Sequence, residues 1–388
     1  MKVPFAIPEC GDEEVREVAD VIRSGWLTTA SRCARFEKDF ADVVGVKHAL
    51  AVNSATAALH LGLEALGIGV GDRVLVPTLT FTATAEIVRY LRADPVFVDC
   101  DPETFCVTIE LIENAIESNG LKPSAVKAII PVHFGGHPCE MGTILAFARE
   151  NDLAVMEDAA HALPTRYQGT LIGGFGDVTC FSFYANKTMT TGEGGMLCTN
   201  DDRIAKRVKT MRLHGINRDV WDRFSTGASW EYDVLAPGFK YNMPDINAAL
   251  GIHQLAKIEY FRDKREQIAR RYYEGLADIP GLILPRIHCE MTDHSWYIFN
   301  VLVDGDKTKR GINRDTFIAE MTKRDIGTSV HYKPLHRMTY YRETYGLKPE
   351  MFPNAEWVFE RCVSIPMFSA MTDDQAEYVI DCIEKILN

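Results

Sequence analysis

Between residues 12 and 156 the chain alternates short apolar runs with longer stretches whose apolar residues recur every third or fourth position. Val15, Val18 and Ile22 fall at helical spacing over residues 12–22, and Gly25 stands where a helix commonly ends, which predicts an amphipathic helix with those three on its apolar face. Buried strands are then predicted over 49–52, 73–76, 95–98, 128–132 and 153–156, with helices over 55–66, 83–91, 109–116 and 141–150 between them. This order implies βαβ units and a mostly parallel sheet covered on both faces, and ligands of such sheets gather at the carboxyl ends of the strands. One helical stretch is predicted over 245–276, where Ile252, Leu255, Ile258 and Phe261 recur every third residue and Ile268, Tyr272 and Leu276 every fourth. Beyond Gly281 isolated strands (296–303 and 328–332) alternate with helices. The last helix opens on Thr372 and Gln375 at capping-box spacing and buries Val379, Ile380, Ile383 and Leu387. The expected organisation is a large α/β domain over 1–250, then a linking helix and a smaller α+β domain over 251–388.

Composition narrows the function classes. The 388 residues carry 42 Lys plus Arg against 54 Asp plus Glu, a net charge of -12, which argues against a broad nucleic-acid surface but not against a small anion held in one pocket. No apolar run reaches membrane-spanning length, and residues 1–11 lack the basic and apolar regions of a secretory leader. Ten cysteines are scattered without a C-x-x-C pair or alternation with histidine, so no metal site is expected and the thiols read as reduced. The expectation is a cytoplasmic protein.

Candidate chemistry lies where strands meet loops. In M-E-D-A-A-H-A, Asp158 sits at the end of a predicted strand. Lys187 follows an apolar run over 178–184, inside F-S-F-Y-A-N-K-T-M-T-T-G-E-G-G. An aspartate and a lysine at neighbouring strand ends suit pyridoxal 5′-phosphate (PLP), whose aldehyde needs a lysine amine and whose ring nitrogen needs an acid partner to stay protonated. The phosphate needs a cradle, and V-N-S-A-T-A-A (52–58) runs a strand into a helix start through small and hydroxylated residues, with Ser182 able to add a hydroxyl. Phe81 offers a flat face for the ring, and His161 a polar group near the ring or its phenolic oxygen. Each also has a plain reading: Asp158 a loop cap, Lys187 a solvated lysine, Ser54–Thr56 an ordinary N-cap, Ser182 a buried strand serine, Phe81 core, His161 a buried hydrogen-bonded histidine.

Taken together, N-S-A-T-A-A-L-H, P-T-L-T-F-T-A-T, E-D-A-A-H-A, F-S-F-Y-A-N-K, G-E-G-G-M, R-L-H-G, G-F-K-Y-N-M-P-D-I-N-A-A-L, V-H-Y-K-P-L-H and S-I-P-M-F stand in the order found in the PLP-dependent sugar-nucleotide aminotransferases of the DegT/StrS type, which this chain resembles over nearly its whole length. The resemblance is greatest to the members that form UDP-4-amino-4-deoxy-L-arabinose. It implies fold type I, with a mostly parallel seven-stranded sheet. It also implies Lys187 as the imine-forming lysine, Asp158 as the ring-nitrogen partner, Phe81 as the stacking ring, and Ala55, Thr56 and Ser182 as phosphate ligands. His161 joins the catalytic and cofactor set. Asn242 would reach the cofactor phosphate of the neighbouring subunit, so a homodimer with shared sites is implied. Trp26, Thr29, His294 and His331 lie in motifs that flank the substrate side. Two positions depart from the usual pattern: Ala30 where many members carry glycine, and His161 where many carry glutamine.

The implied reaction moves an amino group from L-glutamate, leaving 2-oxoglutarate, to a nucleotide-linked 4-keto sugar, with UDP the expected nucleotide and a 4-amino sugar for polysaccharide, lipopolysaccharide or glycan synthesis as product. Lys187 can serve as base only if neutral, which a desolvated site would favour. Two alternatives are a PLP-dependent sugar dehydratase, in which histidine replaces the lysine, and a non-catalytic regulatory protein on the same scaffold.

Overall fold

The computed structural model describes residues 1–217 and 231–388. Seven strands form the central sheet: β1 (His48–Val52), β2 (Arg73–Pro77), β3 (Asp94–Val98), β4 (Ala128–Ile129), β5 (Ala154–Asp158), β8 (Val178–Ser182) and β9 (Gly195–Thr199). Their order across the sheet is β1-β9-β8-β5-β4-β2-β3. Between β5 and β8 in the chain, β6 (Arg166–Tyr167) and β7 (Thr170–Leu171) make a separate small hairpin. β8, β5, β4, β2 and β3 are mutually parallel, whereas β9 runs antiparallel to both β1 and β8. The near-continuous burial of these strands explains their apolar composition, since helices cover both faces of a parallel sheet. A three-stranded antiparallel sheet, β10 (Leu282–Ile283), β11 (Phe299–Val303) and β12 (Cys362–Ile365), lies in the C-terminal part.

Two hydrophobic clusters hold these layers. The second gathers Tyr272, Trp296, Phe299, Phe317 and the inner face of helix Asp373–Leu387, and Val3 joins it through a backbone bridge to Ile326. Thr372 and Gln375 form the expected capping box, and Val379, Ile380, Ile383 and Leu387 are buried.

Three expectations are corrected. The first helix, Asp12–Ser24, buries Glu14 and Val21, while Val15 and Ile22 are exposed. Its buried face is polar because Glu14 accepts hydrogen bonds from Lys257 Nζ at 2.8 Å, Gln254 Nε2 at 2.9 Å and its own N-cap, Gly11 N–H, at 2.8 Å. Burial opposes the charge on Glu14, but these donors hold its carboxyl below the usual range. The stretch 245–276 is two helices, Asp245–Ala256 and Ile258–Leu276, broken at Lys257. The segment 328–332 makes only a single bridge, Ser329 to Ser364, rather than a strand. Helix Ser31–Val44 went unpredicted because its cap is remote: Asp245 Oδ1 accepts from Ala30 and Cys33 N–H and Oδ2 from Arg32 N–H, at 2.7–3.0 Å.

Candidate active site

β5 and β8 are neighbours, and their carboxyl ends deliver Asp158 and, after one turn, Lys187 to a common cavity of about 340 Å³. Asp158 is the last residue of β5 and is 5% exposed. Its Oδ2 accepts from Thr84 Oγ1 at 2.8 Å and its Oδ1 from Ala160 N–H at 3.1 Å. Because Thr84 donates to the carboxylate, its oxygen takes the proton of Thr80 Oγ1, 2.9 Å away, giving a directional Thr80–Thr84–Asp158 chain. Burial pushes the Asp158 carboxyl up, against the pull of these donors and of the Lys187 and His133 charges. A buried carboxyl of this kind gains most from a cation placed beside it. Below it, Glu157 is fixed by His133, Gly176 N–H and Thr179 at 3.0, 2.8 and 2.6 Å, which anchors the strand end.

Lys187 is half-buried, and desolvation lowers its amine from the ordinary 10.5 to about 7, with the Asp158 charge acting weakly the other way. Its Nζ lies 4.2 Å from the centre of the Tyr297 ring, and the Tyr297 hydroxyl donates to Asn186 Oδ1 at 3.2 Å. An amine with a pKa near 7 exists substantially as the free base at neutral pH, the form that attacks a carbonyl.

The start of helix Ala55–Ala65 also lines the cavity. Ser54 is its N-cap and its Oγ accepts from Ala57 N–H at 3.1 Å. The N–H groups of Ala55 and Thr56 belong to the first turn, where no intrahelical acceptor exists, and both residues line the cavity with Ser182. Orphan donors and the positive end of the helix dipole make an anion site. β9 presses against this helix start so closely that a Cβ on Gly195 would lie 2.6 Å from the Ser54 carbonyl and 2.7 Å from Ala55 N. Phe81 also lines the cavity and remains 56% exposed, its ring centre 5.9 Å from that of Tyr332. A desolvated amine, a buried carboxyl, an anion cradle and a half-exposed aromatic ring together fit PLP.

His161 borders the same space. Its Nδ1 accepts from Gly135 N–H at 3.2 Å and its Nε2 lies 3.0 Å from Tyr332 Oη, with the Tyr297 ring 4.4 Å away. Burial first, and then the Lys187 and His331 charges, hold it well below the usual histidine range. His331 lines the cavity too, its Nδ1 2.7 Å from Ser364 Oγ, and burial lowers it to about 4. Trp26, Thr29, Asn242 and His294 do not line this cavity. Thr29 and Asn242 are joined at 2.6 Å and border a separate groove of about 680 Å³. Asn242 bridges Val52 at the end of β1. Trp26 turns its indole N–H toward Thr29 O at 3.5 Å. His294 is buried against Trp296, whose N–H its Nδ1 accepts at 2.9 Å. Sequence reading passed over Thr84, Tyr297 and Tyr332, although Thr84 ends P-T-L-T-F-T-A-T and Tyr332 stands inside V-H-Y-K-P-L-H.

Comparison with known proteins points to the same cofactor. Residues 8–384 match the DegT/DnrJ/EryC1/StrS aminotransferase family. The chain is 48% identical over 385 residues to the uncharacterized protein MJ1066 of Methanocaldococcus jannaschii, covering 99% of this chain and 97% of that protein. It is 43% identical over 386 residues to the spore coat polysaccharide biosynthesis protein SpsC of Bacillus subtilis, with the same coverage. Among solved structures, the putative sugar aminotransferase Spr1654 of Streptococcus pneumoniae in its PMP form superposes with a TM-score of 0.90 at 31% identity, covering 99% of each chain. The same protein in its PLP form gives a TM-score of 0.89. The fold is therefore fold type I and the cofactor PLP. With Lys187 and Asp158 facing one cavity at the sheet's carboxyl edge, the chain belongs to the DegT/DnrJ/EryC1/StrS family of PLP-dependent sugar aminotransferases.

Proposed function

We propose that this aminotransferase takes its amino group from L-glutamate and delivers it to a 4-keto sugar carried on a nucleotide, UDP first among the candidates, to make a 4-amino sugar for polysaccharide or lipopolysaccharide synthesis in the cytoplasm. The observation that carries the reading is the Lys187 amine, desolvated to a pKa of about 7 and sharing one cavity with the Asp158 carboxyl.

When bound, PLP supplies an electron sink for the carbanion formed at the amino acid's α-carbon. The other roles fall to the chain. Asp158, steadied by Thr84 and Ala160, would hold a proton at the ring nitrogen. Ala55 and Thr56 N–H, with Ser182, would hold the phosphate, and Phe81 would pack against the ring. Lys187, as the neutral amine, would take the α-proton and pass it to the cofactor, its pKa of about 7 lying in the range where general bases work best at neutral pH. His331 stands on the substrate side. Trp26, Thr29 and His294 belong to the same proposal through the motifs they occupy, as does Asn242, which beside the end of β1 is the residue to complete a second subunit's phosphate site in a homodimer. No helix among the described residues is long and apolar enough to cross a membrane.

The test is spectroscopic. Holoenzyme mixed with glutamate alone should lose its visible absorbance, and a panel of UDP-, GDP- and dTDP-linked 4-keto sugars should restore it, the UDP sugars fastest. If glutamate leaves the absorbance intact while another amino acid bleaches it, the donor is wrong. Restoration by a free keto sugar as fast as by its nucleotide ester would remove the nucleotide from the reading.

A further inference from the structure

The hydrogen bonds around His161 have a fixed polarity. Gly135 N–H can only donate, so His161 Nδ1 must be unprotonated, and the neutral ring carries its proton on Nε2. That Nε2–H therefore donates to Tyr332 Oη across 3.0 Å. The Tyr332 oxygen is thus an acceptor from below, and its own hydrogen must point elsewhere. Among the described residues no acceptor stands against it, and Tyr332 lines the cavity that holds Lys187 and Asp158. The ring cannot swing freely, since Phe81, Phe134 and His331 surround it with centroids 5.9, 6.0 and 4.8 Å away. Burial also raises the phenol well above its ordinary range, so it keeps its proton throughout the working pH range.

We propose that Tyr332 is a catalytic hydrogen-bond donor to the carbonyl oxygen of the sugar, and that His161 is the positioning residue that turns the Tyr332 proton toward it. As an amino nitrogen adds to the carbonyl carbon, electrons move onto that oxygen, and a preset donor in a water-poor cavity is worth most at that moment. A glutamine at position 161 would offer the same order, its amide oxygen accepting from Gly135 and its N–H donating to Tyr332.

The inference rests on the proposed keto-sugar acceptor, so its test separates the half-reactions. In Tyr332→Phe holoenzyme the return of visible absorbance on adding keto sugar should slow about 100-fold, the usual scale for losing one such donor, and by at least tenfold more than the bleaching by amino donor. His161→Leu should match that loss, add little in the Tyr332→Phe background, and be largely rescued by His161→Gln. Equal slowing of both half-reactions, or additive losses in the double variant, would overturn the assignment. Nitrogen-15 NMR of the wild-type protein reads the tautomer without any substrate: a His161 proton on Nδ1 refutes the proposal, one on Nε2 supports it. Wild-type enzyme that bleaches with glutamate yet accepts no keto sugar would count against the proposed function instead, leaving the tautomer measurement to decide the hydrogen-bond chain.

Discussion

Holding Lys187 as a free base at neutral pH has a thermodynamic counterpart that can be measured without cofactor. In the unfolded chain its amine titrates near 10.4, whereas in the fold it titrates at about 7. Below pH 7 both states are protonated and the fold carries the whole penalty of a desolvated ammonium. At about 1.4 kcal/mol per pKa unit this amounts to at most about 5 kcal/mol. Water at the cavity mouth reaches the half-buried side chain and screens part of it, so about 3 kcal/mol is the working figure. Between pH 7 and 10.5 the unfolded chain binds a proton that the folded chain does not, and stability must rise with pH. Above 10.5 both are neutral and the penalty is gone. Lys187→Met keeps a flexible side chain of similar length without the charge. Cofactor-free Lys187→Met should therefore be about 3 kcal/mol more stable than cofactor-free wild type at pH 6–7, with the advantage shrinking steadily toward pH 10. Urea titrations of both proteins at five or six pH values, followed by tryptophan fluorescence, measure it, and taking the difference cancels groups that titrate alike in the two. A variant no more stable at pH 7, or a gap that stays constant to pH 10, would mean that the amine is solvated and titrates as an ordinary lysine. The argument for a neutral base would fall with it.

Other substitutions probe the remaining parts of the site. Asp158→Asn should still bind PLP and absorb in the visible, yet transaminate at least about 100-fold more slowly, because an amide cannot keep the ring nitrogen charged; wild-type turnover would remove Asp158 from its role. Thr84→Val deletes the 2.8 Å donor to Asp158 at nearly constant volume and should lower kcat about tenfold with little change in the KM for glutamate. Gly195→Ala forces a methyl to within 2.6 Å of the Ser54 carbonyl, so the anion cradle must shift, with a measurable rise in the Kd for PLP and a loss of at least about 1 kcal/mol in urea stability.

How far the sequence exposes this molecule depends on how local each determinant is. Alternating apolar runs and helices give the parallel part of the sheet, because burial on both faces leaves a direct mark on composition. The reversal of β9 leaves none: Gly195–Thr199 is an apolar run like its neighbours, and only its pairing with β1 and β8 reveals its direction. Periodicity placed the first helix but chose the wrong face, since the decisive contact of Glu14 is with residues some 240 positions away. Helix Ser31–Val44 shows the same effect, its cap being Asp245. Lys187 and Asp158 drew notice in the sequence because Asp158 ends β5 and Lys187 follows β8 by one turn, each within a distinctive motif, and the fold brings both to one cavity.

The site's supporting residues were not legible, for a reason that bears on how it works. Thr84 is 74 residues from Asp158, Gly135 is 26 from His161, and Tyr332 is 171 from His161. What the fold specifies at these points is the direction of each hydrogen bond more than the identity of each side chain. Thr80 to Thr84 to Asp158 runs one way, ending on a carboxylate oxygen that can only accept. Gly135 to His161 to Tyr332 runs toward the cavity, ending on a hydroxyl that lines it. His161, standing where many chains of this type carry glutamine, reads in sequence as a departure. In the structure it is an acceptor on one side and a donor on the other, the property both side chains share. Polarity of this kind is invisible to periodicity and to composition, and it becomes readable only once a backbone N–H, which cannot reverse its role, is seen at one end of the chain.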